Sequence, residues 1–392
     1  MKCHLAILVL MTTSSLAIGS PVASAEQMGW ELPALSVPAA QAISEGDGIT
    51  VAVLDTGVRI EHPVLHGRAT EGPDFLSAES DKSQPWYGGH GTAMASSVVD
   101  VAPNAKVLSL RVLRDNDDPR FQSWRQAMED PNPSGNAHPV ADATRYAADH
   151  GARVISMSLG SQSSLGAYSN DDLRAIQYAL GKGVVVIASA GNDGDGDNHV
   201  AYPAGYPGVI TVAATNPDRA RAEFSSVHDY VDVAAPGVDI NEADSTTTGR
   251  TPGSGTSPAG ALTAGVSALI LAKYPQLAPR QVEQLLEHTA STYSQGYNPL
   301  TGYGVINAEA ALRAAASLHP ESPALVVGKE GADIHFGPGD DGTPRKVRYG
   351  VDLSYFAIAA VAAAPGLLLL IVGWLLLRRG RRAQRRWPAG AC

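Results

Sequence analysis

The sequence has very little cysteine, with two in 392 residues. Cys3 stands near the start and Cys392 is the final residue, so the long stretch between them holds none. That stretch folds without disulfide bonds, even if it faces an oxidising compartment that permits them. A chain of this length can do so, because one large domain or two ordinary ones bury a sizeable apolar core.

The sequence also lacks an excess of positive charge. Its 29 Lys and Arg stand against 39 Asp and Glu, which gives a net charge of −10. A nucleic-acid-binding surface requires a basic patch, so nucleic acid is excluded as a partner. Hydrophobic residues make up 44% of the chain and glycine is abundant, a composition typical of a globular protein and not of a disordered one.

The first apolar run resembles an export signal. Lys2 precedes an apolar stretch over residues 5–10, and Ala23-Ser24-Ala25 has the small-x-small pattern of a signal-peptidase site. We expect residues 1–25 to be a signal peptide cleaved after Ala25, with an N-terminal extension over residues 26–48. An uncleaved N-terminal anchor is the alternative.

The second long apolar run lies near the C-terminus. Residues 355–377 contain no charged residue and are long enough to cross a hydrocarbon core of about 30 Å as a helix. A buried core helix is the alternative, but such a helix is not normally followed by a cluster of arginines: Arg378, Arg379, Arg381, Arg382, Arg385 and Arg386. The positive-inside rule predicts one C-terminal transmembrane helix, a basic cytoplasmic tail over residues 378–392 and an extracytoplasmic body. The charged, Pro/Gly-rich residues 318–354 are predicted to form a stalk.

Between these ends, short apolar runs alternate with segments of helical character. This alternation predicts an α/β fold whose central sheet is mainly parallel and covered on both faces. The predicted strands are residues 49–55, 105–113, 152–160, 184–189, 209–214 and 230–235, and the predicted helices are residues 90–100, 140–151, 171–183, 258–274 and 279–290. Residues 115–139 are polar and lack periodicity, so they are predicted to form a long surface loop.

Four polar residues stand at the ends of these elements. Asp55 is the last residue of the first strand, and Asn192 follows a later strand. His90 begins one helix between two glycines, and Ser257 begins another. Each alone is equally explained as a turn former, a cap or a surface residue. Ligands of open parallel sheets bind beyond the carboxyl ends of the strands, so the four together predict one site.

These four residue types supply the parts of a nucleophilic mechanism. A serine hydroxyl becomes a good nucleophile when an imidazole takes its proton. A carboxylate fixes the tautomer of that imidazole and stabilises its charged form. An asparagine amide and the serine N–H can then donate hydrogen bonds to the oxyanion that develops.

The sequences around these residues are similar to those of the subtilisin-like serine proteases. The segments VAVLDTGV, GGHGTAMAS, ASAGN and SGTSPAG resemble the three catalytic blocks and the oxyanion block of that family, in the family's order, and the similarity extends over residues 49–312. The resemblance implies a three-layer αβα sandwich with a catalytic domain over residues 49–317. It implies that Asp55, His90 and Ser257 form a triad, that Asn192 is the oxyanion donor, and that the chain is a serine endopeptidase acting on proteins or peptides.

The resemblance also implies where a substrate binds. Residues 156–160 correspond to an edge strand that pairs with the substrate backbone. The pocket for the residue before the scissile bond would be shaped by five residues: Ser158, Leu159, Gly160, Ala190 and Gly191. A second substrate strand should lie where the 115–139 loop begins, although its usual glycine-rich pattern is missing here.

One departure from the family concerns the nucleophile's neighbour. Pro258 follows Ser257 directly, and Ala261 stands where the family usually has a proline. Proline at the first position of a helix gives up an N–H that has no partner there in any case. The oxyanion would use the N–H of Ser257, so we expect Pro258 to be compatible with activity.

No cofactor or metal ion is required by this chemistry. Asp193, Asp195 and Asp197 alternate like part of a calcium loop, but no glutamate follows at the twelfth position. A solvated acidic turn is the preferred interpretation, with calcium as the alternative.

The order of segments is similar to that of the mycosins, the membrane-anchored proteases associated with type VII secretion in actinobacteria. That resemblance implies a cell-membrane location and type VII membrane components as partners. A structural role in a secretion complex and a general cell-surface protease are the alternatives. Residues 26–48 are too few for a folded prodomain. Because Pro33 and Pro38 interrupt them, we expect an extended strap that buries Trp30 or Leu32 in a surface groove without plugging the active site.

Overall fold

Seven parallel strands form the central sheet in the computed structural model of the chain. The structure describes residues 29–76, 82–129, 138–160, 168–291, 296–321 and 374–375. The predicted signal peptide, the transmembrane helix and the basic tail lie outside these residues, except for positions 374 and 375, as does the predicted stalk from residue 322 onward. In the described ranges no helix combines the length and the apolar character that crossing a membrane requires.

The sheet has the order β2-β3-β1-β4-β5-β6-β7, and each neighbouring pair is parallel. Its strands are β1 (Thr50–Asp55), β2 (Ala69–Asp74), β3 (Lys106–Arg111), β4 (Ala152–Met157), β5 (Val185–Ser189), β6 (Ile210–Thr215) and β7 (Val233–Pro236). From β1 the chain crosses to the edge strand β2, returns to place β3 between β2 and β1, and then adds β4 to β7 in order on the other side of β1. The strand order therefore reverses at β1, and a crevice forms at its carboxyl end, where open α/β sheets bind their ligands.

Helices cover both faces of the sheet, which confirms the α/β prediction with a parallel central sheet. One apolar core lies between the sheet and the helices α3 (Gly89–Val101), α7 (Thr256–Lys273), α8 (Pro279–His288) and α9 (Ala308–Ala315). The opposite core involves α5 (Pro139–Asp149) and α6 (Asn170–Gly181). Helix α7 is buried along almost its whole length, as expected of a helix that is apolar on every side.

The predicted long surface loop over residues 115–139 is wrong in its first half. Residues Phe121–Glu129 form helix α4, in which the rings of Phe121 and Trp124 lie 5.9 Å apart, one helical turn from each other. Asp115 and Asp118, which precede the helix, are buried. The surrounding Pro, Asn and Asp residues concealed this short amphipathic segment. Residues 130–137 lie outside the described ranges.

The N-terminal extension is helical, so the prediction of an extended strap is wrong. It forms α1 (Glu31–Ala34) and α2 (Val37–Gln41). Pro33 and Pro38 fall in the first turns of these short helices, where a missing N–H leaves no hydrogen bond unmade. Trp30 and Leu32 are partly buried against the core, as expected, but Leu35 and Val37 are fully buried.

Two further elements have no counterpart in the predictions. The edge strand β2 reads ATEGPD, and its proline and charged residues are tolerated because one side of an edge strand has no pairing partner. The antiparallel pair β8 (Ile240–Ala243) and β9 (Arg250–Gly253) forms a separate two-stranded sheet just before Ser257. Neither element contains the continuous apolar run by which the buried strands were identified.

Candidate active site

Asp55 and His90 meet at the carboxyl end of β1. The His90 Nδ1 lies 2.7 Å from Asp55 Oδ1. The same carboxylate oxygen accepts a hydrogen bond of 2.7 Å from the Thr56 N–H. Asp55 is fully buried, whereas 39% of the His90 side chain is exposed. The arrangement fixes one ring nitrogen against a buried carboxylate and leaves part of the ring open to solvent.

Three carboxylates set the charge state of His90. Burial lowers the pKa of its imidazole, but the charge and hydrogen bond of Asp55 oppose this effect, and the charges of Glu242 and Asp115 add to the rise. Together they raise the pKa from its ordinary 6.5 to about 9. The surroundings of the ring therefore favour the imidazolium, the species that a general base becomes when it accepts a proton.

Ser257 is the second residue of α7, and that helix begins three residues after the end of β9. Its backbone carbonyl accepts a hydrogen bond of 2.9 Å from Ser158 Oγ. Among the described residues, its hydroxyl makes no hydrogen bond to His90, although α3 and α7 pack against each other. Such bonds are often long in an unliganded site and shorten when substrate binds.

Pro258 is the third residue of α7, not the first as the sequence predicted, because the helix begins at Thr256. Proline is tolerated at the third position as well, since the first four N–H groups of a helix have no partner within it. The proline therefore removes no intrahelical hydrogen bond.

Thr256 orients the Asn192 side chain. The Asn192 Oδ1 accepts hydrogen bonds from the Thr256 N–H at 2.8 Å and from Thr256 Oγ1 at 2.9 Å. With its oxygen held in this way, the amide presents its Nδ2 donor near the start of α7. A Cβ at Gly255 would lie 3.3 Å from that Nδ2, so the glycine leaves the donor uncrowded. The sequence analysis identified Asn192 but missed Thr256, which no motif singled out.

The predicted substrate edge requires a correction. Strand β4 lies in the interior of the sheet between β1 and β5, so Ser156 and Met157 are not at a sheet edge. Only Ser158, Leu159 and Gly160 continue past its carboxyl end, and residues 161–167 lie outside the described ranges. An interior strand can present a free backbone edge only where it extends beyond its neighbours.

The other predicted pocket residues lie near this extension. Ala190 is buried directly after β5, and Gly191 follows it. A Cβ added at Gly191 would lie 3.5 Å from the Cβ of Ala201, and one added at Gly160 would lie 3.7 Å from it. The buried methyl of Ala201 therefore lies close to both predicted pocket walls. No motif in the sequence indicates a role for this residue.

The acidic turn at Asp193 is organised by contacts within the protein. Asp193 Oδ2 lies 2.9 Å from the Nδ1 of His199, and Asp195 and Asp197 are exposed. Across the part of the chain that the structure describes, the one group of acidic or metal-ligating residues close enough to hold an ion is Asp232, Glu283 and Glu287. The interpretation of residues 193–197 as a solvated acidic turn, with calcium as the alternative, stays a prediction.

Comparisons with known proteins identify the family. The Subtilase family model matches residues 46–305. The chain is 38% identical over 306 residues to fervidolysin of Fervidobacterium pennivorans, which aligns 69% of this chain with 41% of that protein. It is 33% identical over 299 residues to subtilisin DY of Bacillus licheniformis, covering 73% of this chain and 99% of that one.

Among solved structures, the MycP3 protease from the type VII (ESX-3) secretion system is similar. It has a TM-score of 0.61 and 27% identity, over 74% of this chain and 90% of that one. The chain spans less than half the length of fervidolysin. The chain belongs to the subtilase family of subtilisin-like serine proteases.

Proposed function

We propose that the chain hydrolyses peptide bonds with Asp55, His90 and Ser257 as its triad. The observation that carries the proposal is the 2.7 Å contact between the buried Asp55 and the Nδ1 of His90, at the carboxyl edge where α7 presents Ser257. Asp55 holds the proton on Nδ1, which leaves Nε2 to accept the proton of Ser257. The serine oxygen then attacks the scissile carbonyl, and the imidazolium returns the proton to the leaving amine.

The oxyanion of the tetrahedral intermediate would be bound by two donors. One is the Nδ2 of Asn192, whose orientation is supported by the two hydrogen bonds from Thr256 to its oxygen. The other is the backbone N–H of Ser257, which lies in the first turn of α7 and has no helical partner. Donors fixed before the reaction stabilise the developing charge without reorganising.

Replacing Asn192 with alanine should slow hydrolysis without unfolding the protein. Loss of one oxyanion donor lowers kcat by about 10² to 10³. Steady-state kinetics with a peptide substrate, alongside a thermal melt, measures both quantities. Asn104→Ala is the matched control, because that exposed amide contacts Glu45 and Asp47 at the amino end of the sheet. A loss smaller than tenfold for Asn192→Ala would mean that another group donates to the oxyanion.

The substrates of this site are proteins or peptides. The backbone of Ser158, Leu159 and Gly160 would pair with the substrate chain, and Ala190 and Gly191 would form the wall opposite. The side chain before the scissile bond would then point toward Ala201, whose methyl limits the depth available to it.

We further propose that the chain is a mycosin-like protease anchored in the cell membrane. Its catalytic body would lie outside the membrane and its tail in the cytoplasm. The similarity to the MycP3 protease supports the type VII association. The apolar run 355–377 with its arginine flank supports the anchor and its orientation. A scaffold role in a secretion complex, and a general surface protease, remain the competing functions.

The orientation is tested with a tag placed after Arg386. In cells stripped of outer layers, added protease should cleave the catalytic body and leave the tag intact until the membrane is broken. A tag degraded in intact cells contradicts the orientation.

The proteolytic and scaffold roles are separated by measuring type VII secretion in two strains, one with Ser257→Ala and one with the whole gene deleted. Loss of secretion in the Ser257→Ala strain supports a proteolytic role. Normal secretion in that strain together with loss of secretion in the deletion strain supports the scaffold role.

A further inference from the structure

The helix that carries His90 has no cap of its own. Its N-cap residue is Gly88, which has no side chain and adopts a left-handed conformation at φ 69°. The N–H groups of a first helical turn lack intrahelical partners and need acceptors from elsewhere, above all where they are buried.

A carboxylate from a distant part of the chain supplies those acceptors. Asp115 Oδ2 accepts a hydrogen bond of 2.8 Å from the Gly88 N–H, and Asp115 Oδ1 accepts one of 3.0 Å from the His90 N–H. The N–H of Gly91 is bound at 3.1 Å by Thr56 Oγ1, next to Asp55. The start of the catalytic helix is thus held by two residues that follow neighbouring strands, β1 and β3.

Asp115 lies close against the helix and is 9% exposed. A Cβ added at Gly89 would lie 3.1 Å from Asp115 Oδ1. The carboxylate can approach the backbone this closely because residues 88 and 89 are both glycine. A negative group is favourable here because the N-terminus of a helix carries partial positive charge.

The neighbouring arginines are engaged by other carboxylates. Arg111 pairs with Asp74 at 3.0 Å, and Arg114 pairs with Asp118 at 2.8 Å. Within the described ranges Asp115 itself takes part in no ion pair. Its charge is therefore directed at the helix start and at His90, and not neutralised by a guanidinium.

We propose that Asp115 is a positioning residue for peptide hydrolysis, holding the first turn of α3 so that the His90 ring meets Asp55, and stabilising the imidazolium by its charge. This inference rests on the proposed function of the triad. It assigns to the segment after β3 a role in catalysis that is separate from binding substrate backbone.

The charge effect is separable from simple helix capping by the pH dependence of activity. The acidic groups that face His90 are Asp55 on β1, Asp115 after β3 and Glu242 on β8, and the negative charge of each raises the pKa of the imidazole. Burial raises the pKa of the Glu242 carboxyl itself to about 7. Because the base is active when neutral, kcat/KM rises as the pH rises through this pKa. Removing the charge of Asp115 lowers the pKa, so the rise moves to lower pH.

The experiment compares Asp115→Asn with wild type and with Asp47→Asn. Asp47 is exposed at the amino end of the sheet, where it contacts Asn104, so the control removes one carboxylate charge far from His90. For Asp115→Asn we expect the acid limb of the kcat/KM profile to move down by up to about one pH unit. We also expect kcat to fall by about ten- to a hundredfold at nearly constant KM, because small displacements of a catalytic base are costly. Asp47→Asn should show neither change.

Asp115→Glu serves if the asparagine variant does not fold. It keeps the charge but places it one methylene further along, so we expect the acid limb near its wild-type position and a lowered kcat. A folded Asp115→Asn or Asp115→Glu protein with wild-type kcat overturns the positioning role, and so does an unmoved acid limb in Asp115→Asn. Wild-type protein that fails to hydrolyse peptides contradicts the triad instead.

Discussion

Replacing Ser257 with alanine is expected to abolish peptide hydrolysis and labelling by a fluorophosphonate probe while the fold survives. The substitution removes the oxygen that attacks the scissile carbonyl and leaves no nucleophile in its place. Loss of a triad serine lowers kcat on the order of 10⁶-fold, with residual catalysis from the oxyanion donors. The fold should persist because Ser257 contributes its backbone carbonyl, not its hydroxyl, to the bond with Ser158.

Ser254→Ala provides the matched control. It removes a hydroxyl three residues earlier, at an exposed position that accepts a hydrogen bond from the Asp239 N–H. Labelling and kcat of that variant should match the wild type, and circular dichroism should show all three proteins folded. Undiminished labelling of Ser257→Ala would show that the reactive serine lies elsewhere.

The strand ends made much of the site predictable. A continuous apolar run identifies β1, and the polar residue that ends it must lie at the carboxyl edge of the sheet, so the position of Asp55 follows from the sequence alone. His90 and Asn192 follow from the same reasoning because small neighbours leave their side chains accessible.

The residues that support the site could not be predicted in this way. Asp115 caps a helix whose N-cap residue, Gly88, lies 27 residues earlier, and nothing in the local sequence relates the two. Thr256 is the sequence neighbour of Ser257, and nothing in the sequence indicates its hydrogen bonds to Asn192. A helix cap can be predicted from the sequence when the capping residue directly precedes the helix, as Ser169 precedes α6. It cannot be predicted when the capping side chain comes from a distant part of the chain.

The strands of the fold also divide into those that the sequence predicts and those that it does not. Buried parallel strands are apolar on both faces and were identified, whereas β2 and the β8–β9 pair lack such runs. The prediction for the N-terminal extension is wrong because its prolines lie in the first turns of two short helices, where proline is tolerated, and do not interrupt a helix. Tertiary contacts, which the local pattern does not report, decide the conformation of such short segments.

Those contacts connect the N-terminal extension to the elements that hold Ser257. The indole Nε1 of Trp30 donates to the Val238 carbonyl at 3.0 Å, just before β8. Glu31 is buried, which raises the pKa of its carboxyl, and the backbone of Asn241 within β8 opposes that rise. The carbonyl of Leu35 accepts a hydrogen bond of 2.9 Å from the Ala308 N–H at the start of α9. The extension therefore packs against the catalytic body through backbone and side-chain contacts.

Truncating Leu35 to alanine should then destabilise the protein and leave the activity of each folded molecule nearly unchanged. Leu35 is fully buried, and removing a buried leucine side chain costs about 2–5 kcal/mol in transfer and cavity terms. Each kcal/mol lowers the Tm of a domain of this size by about 2–4 °C. Leu300→Ala is the matched control, because that leucine is 46% exposed and its loss should shift the Tm little.

Deleting residues 26–38 should lower the Tm further, because it removes Trp30, Leu35 and Val37 together. Differential scanning calorimetry gives the Tm, and titration of active sites with a covalent inhibitor allows kcat to be expressed for each folded molecule. If the extension is structural, Tm falls in both variants while kcat per titrated site stays within about twofold, since the triad lies on β1, α3 and α7. A truncated protein with unchanged Tm and a several-fold higher kcat would instead identify the segment as an inhibitory propeptide. The packing of Leu35 and Val37 into the same apolar core as α7 argues against that result.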